Sequence, residues 1–360
     1  MSGANRISSQ RRILIDVGHP AHVHLFKNLA RNYIDHGDLV LFTVRPKELE
    51  KYLLENEHLP YVEIGNNGKS ILSKIWGLFS KNYRLYKIVR KFSPDIIVSH
   101  GSFYAAQVGW LLRIPSITLE DTGNREQVLL YQFFTNLILS PQALGKRFSK
   151  SHIFYNGLHE FTYIKRNGEK RSLPVDASDR LILVRFVSWN ASHDISGGGL
   201  NHDQKIELID FLKTFGNIYI SSESELPDEL LDYKLKSDPG VFHETLMKSS
   251  LIISDGSTTA IEGCLSGVPA LYTGNCTPGA IKYLIEKGLL VAANDLVNIR
   301  SLLPGLRAND YSGKLRLKRD ELYYESVDLT KLLVWIIDQY PESLKVLKEQ
   351  PDFQKNFLQN

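Results

Sequence analysis

Short β-branched runs alternate with longer helical stretches twice along this chain, and no other feature limits its fold as tightly. From Ile13 the order is ILIDV, a helix-like AHVHLFKNLARNYIDHG, LVLFTV, a helix from about residue 46, YVEI and a long helical stretch. DIIVS (95–99), a helix through Gln107, SITLE (116–120), a helix near 125–135 and NLILS (136–140) follow. Apolar strands separated by helices are the pattern of a parallel sheet covered on both faces. The alternation lapses over residues 165–179 (KRNGEKRSLPVDASD), which are charged, contain Gly and Pro, and have little to bury. A second round then runs through LILVR (181–185), a helix from about His202, NIYIS (217–221), a short helix ending near Lys248, LIISD (251–255), PALYT (269–273), a helix from about Gly279, and LLVAA.

A chain of 360 residues, 43% hydrophobic, is long enough for two cores. The predicted organisation is an N-terminal Rossmann-like domain at 1–165, a linker at 166–179, a second Rossmann-like domain at 180–327 and a C-terminal helical segment at 328–360, whose amphipathic stretch 329–340 fits either half. Two doubly wound domains predict an interdomain cleft, with ligands beyond the carboxyl ends of the strands. The chemistry is therefore sought in strand-to-helix loops.

One such loop is DGSTTAIEG, residues 255–263. Gly256 allows a tight turn, and a helix starting near Ser257 or Thr258 offers free N–H groups and a partial positive charge that suit a phosphate. Ser257, Thr258 and Thr259 add hydroxyls, and Glu262 follows about one turn later, where a carboxylate can take the two hydroxyls of a ribose. The same residues also fit a plain N-capped helix.

The first strand leads into DVGHPAHVHLF, residues 16–26. Gly18 and Pro20 form a turn, and His19 and His22 stand at a helix start, where the dipole favours the neutral ring. Both are expected as donors or bases, and no carboxylate lies at metal-ligand spacing from them, so no metal is expected. SHGSF (99–103) and LEDTGNREQ (119–127) place His100, Glu120 and Asp121 at adjacent strand ends, as a proton-transfer pair or, for Asp121, as the cap of the helix near Asn124. In the second half, RFVSWNASHDISGGG (185–199) carries Arg185 and His193 in a glycine-rich loop of the kind that serves substrates.

Other classes are excluded on composition and motif. A net charge of +3, from 43 basic and 40 acidic residues, forces no polyanion-binding face, so nucleic acid is not an expected partner. The two cysteines, Cys264 and Cys276, have no zinc or redox spacing and fit a reducing, cytoplasmic setting. The polar N-terminus reads as neither signal peptide nor anchor, and no apolar run approaches the ~20 residues that span a bilayer. No GxGxxG or Walker loop is present.

With DVGHPAHVHLFKNL, PDIIVSHGS, LEDT, YNGLHE and ASH on view, the chain resembles the GT-B-like family called domain of unknown function 354 over roughly residues 13–340. GT-B is the two-Rossmann architecture of nucleotide-sugar glycosyltransferases and of the non-hydrolysing UDP-N-acetylglucosamine 2-epimerase. The resemblance implies that Ser257 and Thr258 hold a diphosphate with Thr259 nearby, that Glu262 holds the ribose, and that Glu120 or Asp121 inherits an acid/base position. It also places His193 near the epimerase's second-domain histidine, and matches Asn156-Gly157 to the segment before that enzyme's linker. Where the epimerase has a GDT-like motif this chain has HGS, and the epimerase's paired glutamate has no counterpart.

Glycosyl transfer needs fewer groups: one base, and donors for the leaving diphosphate. The expected function is transfer of a sugar from a nucleotide-diphosphate sugar to an acceptor, with His19 or His22 as base, Asp121 orienting it, and Gly18 and Arg185 beside the nucleotide sugar. The alternatives are a nucleotide-sugar 2-epimerase or hydrolase, and a non-catalytic nucleotide-sugar-binding protein. No cofactor is expected beyond the donor. The acceptor and oligomeric state are not legible, and a lipid-linked acceptor would bring the basic aromatic stretch 74–91 into peripheral contact with a membrane.

Overall fold

A computed structural model of the protein describes residues 10–45, 48–65, 71–164, 180–187, 200–223, 225–236 and 242–359, with side chains of the helix opening at 71 described from residue 80. The predicted linker and the predicted loop around His193 lie outside the described residues.

The chain forms two compact units, residues 1–163 with 327–358, and residues 164–326 with 359–360. In the first, seven strands run β1 (Arg12–Val17), β2 (Leu39–Val44), β3 (Tyr61–Glu63), β4 (Ile96–His100), β5 (Ser116–Leu119), β6 (Leu137–Pro141) and β7 (His152–Tyr155). All pair in parallel, in the order β3-β2-β1-β4-β5-β6-β7. β1 and β4 are buried almost end to end, which explains their unbroken apolar runs: helices cover both faces of the sheet. Those helices are α1 (Pro20–Asp35), α2 (Glu48–Asn56), α3 (Ile71–Phe92), α4 (Phe103–Leu112) and α5 (Arg125–Leu129).

Three departures from the sequence reading have physical causes. α5 stops at Leu129 rather than near 135, because the chain then turns so that Tyr131 is buried with its hydroxyl on Glu120. β7 was hidden by the polar KRFSKS before it, yet His152 and Tyr155 are fully buried in the sheet. The C-terminal stretch joins the first unit: the late helices Leu329–Asp338 and Glu342–Glu349 carry Leu332, Leu333, Ile336 and Leu347 into the core formed by α1 and the sheet.

The second unit holds β8 (Leu181–Phe186), α6 (His202–Leu212), β9 (Asn217–Ser222), α7 (Phe242–Lys248), β10 (Leu251–Ser254), α8 (Ser257–Leu265), β11 (Ala270–Tyr272), α9 (Gly279–Glu286) and β12 (Val291–Ala292). Helices α10 (Leu296–Leu306) and α11 (Asn309–Glu325) close it, leaving α12 and α13 for the two late helices of the first unit. Its parallel sheet has the order β12-β11-β10-β8-β9. Strand order reverses between β1 and β4 in the first unit and between β8 and β10 in the second. At such points the loops diverge and leave room for a ligand beyond the strand ends.

Candidate functional site

In the first unit the switch point is filled by imidazoles. β1 ends at Val17, and His19 caps α1 from an extended backbone (φ −151°, ψ 148°), its Nδ1 accepting from the Ala21 N–H at 3.2 Å. One turn on, His22 Nδ1 accepts from the Gly18 N–H at 3.3 Å. A neutral ring that accepts at Nδ1 carries its proton on Nε2, so His19 and His22 present N–H donors rather than the lone pairs a base needs. The His22 ring lies 4.3 Å from that of His100, which closes β4, and 5.8 Å from that of His19.

Asp121, just after β5, joins two of these rings. Its Oδ1 is 3.1 Å from His100 Nε2 and its Oδ2 is 3.3 Å from His159 Nδ1. It does not cap α5; Asn124 does, accepting from Glu126 and Gln127. The carboxylate is free for the histidines as a result.

The charges follow from burial and neighbours. Burial, reinforced by His100 and His19, holds His22 well below the ordinary imidazole range. Burial alone would lower His100 too, but the Asp121 charge and hydrogen bond outweigh it and the pKa rises. Burial would raise Asp121, yet His100 and His159 together drive it well below the usual carboxylate range. His159 is lowered by burial, against the pull of Asp121. The result is an ionised Asp121 that fixes Nε2–H on His100 and leaves His100 Nδ1 as the exchangeable position.

Glu120, the neighbouring candidate, is spent on structure. Its Oε1 accepts from Thr122 N at 2.8 Å, Thr122 Oγ1 at 2.7 Å and Gly123 N at 2.9 Å, while Oε2 accepts from the Tyr131 hydroxyl. Beneath the histidines, Asp16 is fully buried, taking Thr43 Oγ1 at 2.7 Å and lying 3.0 Å from Arg45 Nη2. Arg45 also donates to the Val17 carbonyl, and a Cβ on Gly18 would come 2.9 Å from its Nη1, so glycine there admits the guanidinium.

His100, Asp121 and His159 bring three ligand-type atoms within 4.8 Å of one another, a grouping that could hold a metal ion. Sequence spacing missed it because His100 closes β4, Asp121 follows β5 and His159 follows β7. The direct 3.1 Å contact shows carboxylate and imidazole already partnering each other. His159 sits in YNGLHE, quoted above without a role. Its signal was the motif, and only the fold shows what it touches.

The second unit's switch point is built from other groups. After β10, Asp255 accepts from the Val187 N–H at 2.7 Å, tying the ends of β10 and β8 together. Gly256 caps α8 in an ordinary extended conformation (φ −86°, ψ 127°), with no side-chain hydrogen bond to the first turn. Glycine is needed there less for the turn than for space: a Cβ would sit 2.9 Å from Val187 Cγ2. With glycine as the cap, no cap side chain takes up the first N–H groups of α8.

Glu262 is only 4% exposed, and its Oε1 lies 3.0 Å from Nε2 of His243 on α7. Nothing in the sequence points to His243, because nineteen residues separate the pair. Arg185, at the end of β8, spends its fork on Ser221 Oγ at 2.8 Å and Glu223 at 2.7 Å.

Residues 11–146 match the model of a family described as Protein of unknown function (DUF354). The family resemblance holds over that span; YNGLHE and ASH lie beyond it. Among characterised proteins, the chain is 25% identical over 205 residues to UDP-N-acetylglucosamine--N-acetylmuramyl-(pentapeptide) pyrophosphoryl-undecaprenol N-acetylglucosamine transferase 3 of Bacillus thuringiensis. That alignment covers 51% of this chain and 54% of the relative, so the chain spans about half the length of the curated relatives it matches. Among solved structures, UDP-GlcNAc 2-epimerase of Neisseria meningitidis is similar with a TM-score of 0.61 at 14% identity, covering 91% of this chain and 99% of that one. Spinosyn forosaminyltransferase SpnP is similar with a TM-score of 0.64 at 14% identity, covering 92% and 100%. The fold is the GT-B fold, two Rossmann-like units, shared by sugar transferases and 2-epimerases.

Proposed function

We propose that the protein transfers a sugar from a nucleotide-diphosphate sugar, in the first instance a UDP-sugar, to an acceptor hydroxyl. The second unit takes the nucleotide: free N–H groups at the start of α8 and the Ser257 and Thr258 hydroxyls meet the diphosphate, with Thr259 behind them and Glu262 turned to the ribose. The first unit supplies the proton transfer. Asp121 fixes the tautomer of His100, whose Nδ1 takes the acceptor proton, while His22 and His19 donate from Nε2. Arg185 orders the strand ends beside the diphosphate through Ser221 and Glu223, and Gly18 keeps the Arg45 guanidinium close to the histidines.

The observation that carries this reading is the glycine-capped start of α8 at a switch point, with no side-chain cap and no acidic side chain in its first turn. Transfer is favoured over epimerisation because elimination of the nucleotide and its reversal need several acid/base groups, and Glu120 is consumed by four donors. The reading needs no cofactor or metal beyond the donor. The Bacillus relative's name specifies a pyrophosphoryl-undecaprenol acceptor, so polyprenyl-linked saccharides are the first acceptor class to assay.

A thermal-shift screen of nucleotide sugars, followed by product analysis with the best binder, tests the proposal. Free nucleoside diphosphate appearing only with an acceptor supports transfer. An isomeric nucleotide sugar formed without acceptor would replace it with epimerisation, and stabilisation without turnover under every acceptor would reduce the protein to a binding module.

A further inference from the structure

An exposed aromatic face on the first unit lies outside the site just described. Phe133 is 75% exposed, Trp110 and Leu111 61% each, and Tyr83 58%, values at which large apolar side chains need an explanation when they are contiguous. They are contiguous. One hollow is lined by Tyr83, Tyr86, Trp110, Leu111 and Phe134, and a second shares Trp110, Leu111 and Phe134 and adds Phe133 and Arg113. The face is rigidly built: Asn82 on α3 donates to Gln107 on α4 at 3.1 Å, Gln107 donates to the Leu130 carbonyl at 3.1 Å, and Trp110 meets Phe134 edge-on at 5.4 Å.

Its charge is one-sided. Residues 80–92 of α3 contain Lys81, Arg84, Lys87, Arg90 and Lys91 without an acidic residue, α4 with its cap adds only Arg113, and residues 129–136 carry no charge. The cations stand beside the aromatics, with Lys87 Nζ 4.5 Å from the Tyr83 ring centre and Arg90 5.8 Å from that of Tyr86. We propose that this face docks on an anionic lipid surface: Trp110, Phe133 and Leu111 enter the headgroup boundary while Lys87, Arg90 and Arg113 meet lipid phosphates. A second copy of the chain fits less well, because a symmetric pairing would set these cations against one another. No helix among the described residues is long and apolar enough to cross a membrane, so the contact is peripheral. The inference does not depend on the transferase reading and is tested without turnover.

Co-sedimentation with phosphatidylcholine vesicles, with and without phosphatidylglycerol, decides it. The wild-type protein is expected to pellet with phosphatidylglycerol vesicles, less so as salt rises, and weakly with phosphatidylcholine alone. Trp110→Glu with Phe133→Glu should abolish pelleting, and Lys87→Ala and Arg113→Ala should each weaken it about fivefold with an unchanged melting temperature. Should the double glutamate variant misfold, the two alanine variants carry the test. No pelleting with anionic vesicles, equal pelleting of all variants, or a dimer abolished by Trp110→Glu in sedimentation velocity without vesicle binding would each overturn the proposal.

Discussion

The two units place a strand-to-helix loop at the same topological position and fill it in opposite ways. At the start of α1 a side chain, His19, spends one of the first-turn N–H groups, and the space beyond β1, β4 and β5 holds four imidazoles around one carboxylate. At the start of α8 glycine is the cap, no acidic side chain stands in the first turn, and the Asp255 carboxylate just before it is tied to the Val187 N–H. A helix start capped by its own side chain has less left for an anion, whereas one capped by glycine keeps its N–H groups for a ligand. The proposed function accordingly assigns proton transfer to the first unit and the diphosphate to the second.

The largest effect that can break this contrast is on catalysis. Asp121→Asn keeps the shape of the side chain but removes the charge that sets the His100 tautomer, so kcat/KM is expected to fall roughly 10²–10⁴-fold. Donor affinity, measured by calorimetry, should stay at the wild-type value, since the proposal assigns the donor to the second unit. Full turnover in the variant, or loss of donor binding with it, would sink the division of labour.

Close behind comes stability. Asp16 is fully buried against Arg45, and Asp16→Asn leaves the guanidinium without its countercharge, a cost of roughly 3–5 kcal/mol by urea denaturation. Hydrogen exchange should locate the loss in β1, β2 and β4. A loss shared equally by β8 and β10 would show that the units do not carry separate electrostatics.

Much of this contrast was legible in the sequence, for reasons that also mark where reading stops. ILIDV, DIIVS and LIISD are apolar runs bounded by turns, so the strands and the loops after them were plain, and His19, His22, His100, Asp121 and the STT run fell at strand ends. Spacing cannot show that β4, β5, β6 and β7 lie side by side in that order, so the joining of His100 and His159 by Asp121 was invisible, as was the His243–Glu262 pair. Nor could a sequence separate Glu120 from Asp121: adjacent carboxylates point to opposite sides of an extended chain, one into Tyr131 and the loop amides, the other to the histidines. The tautomers of His19 and His22 turn on backbone N–H groups that no side-chain pattern reports.

A middle-sized effect sharpens the second half of the comparison. Glu262→Ala removes the carboxylate proposed to take the ribose hydroxyls, charge-assisted bonds worth roughly 1.5–3 kcal/mol, so nucleotide-sugar affinity should weaken about tenfold to a hundredfold. His243→Ala separates binding from structure. It strips Glu262 of the 3.0 Å partner without touching the carboxylate and should leave affinity within about threefold of wild type if Glu262 itself meets the ribose. Equal losses in both variants would make the pair a packing device and reject the ribose role.

The smallest effect is a difference in acid sensitivity between the units. In the first, burial lowers His22 and His159, and lowers His152 from 6.5 to about 4. A histidine whose folded pKa is depressed stabilises the protein above its unfolded value of 6.5. That contribution shrinks as pH falls below 6.5, because the unfolded chain then binds protons that the folded chain refuses; for His152 it shrinks until about pH 4. His100 has the opposite sign, since its raised pKa adds stability that is complete below 6.5 and is lost only as pH climbs through the folded value. One raised histidine opposes three lowered ones, and Asp121, depressed by its histidines, keeps its contribution until pH drops below the usual carboxylate range. In the second unit Asp255 is raised, burial being the main cause, so it gains rather than loses on acidification. Between pH 6.5 and about 4, amide exchange in β1, β4 and β7 should therefore quicken relative to β8 and β10. Equal acceleration in both sheets, or an earlier loss of protection in β8 and β10, would show that the imidazole array is not what sets the first unit's stability in acid.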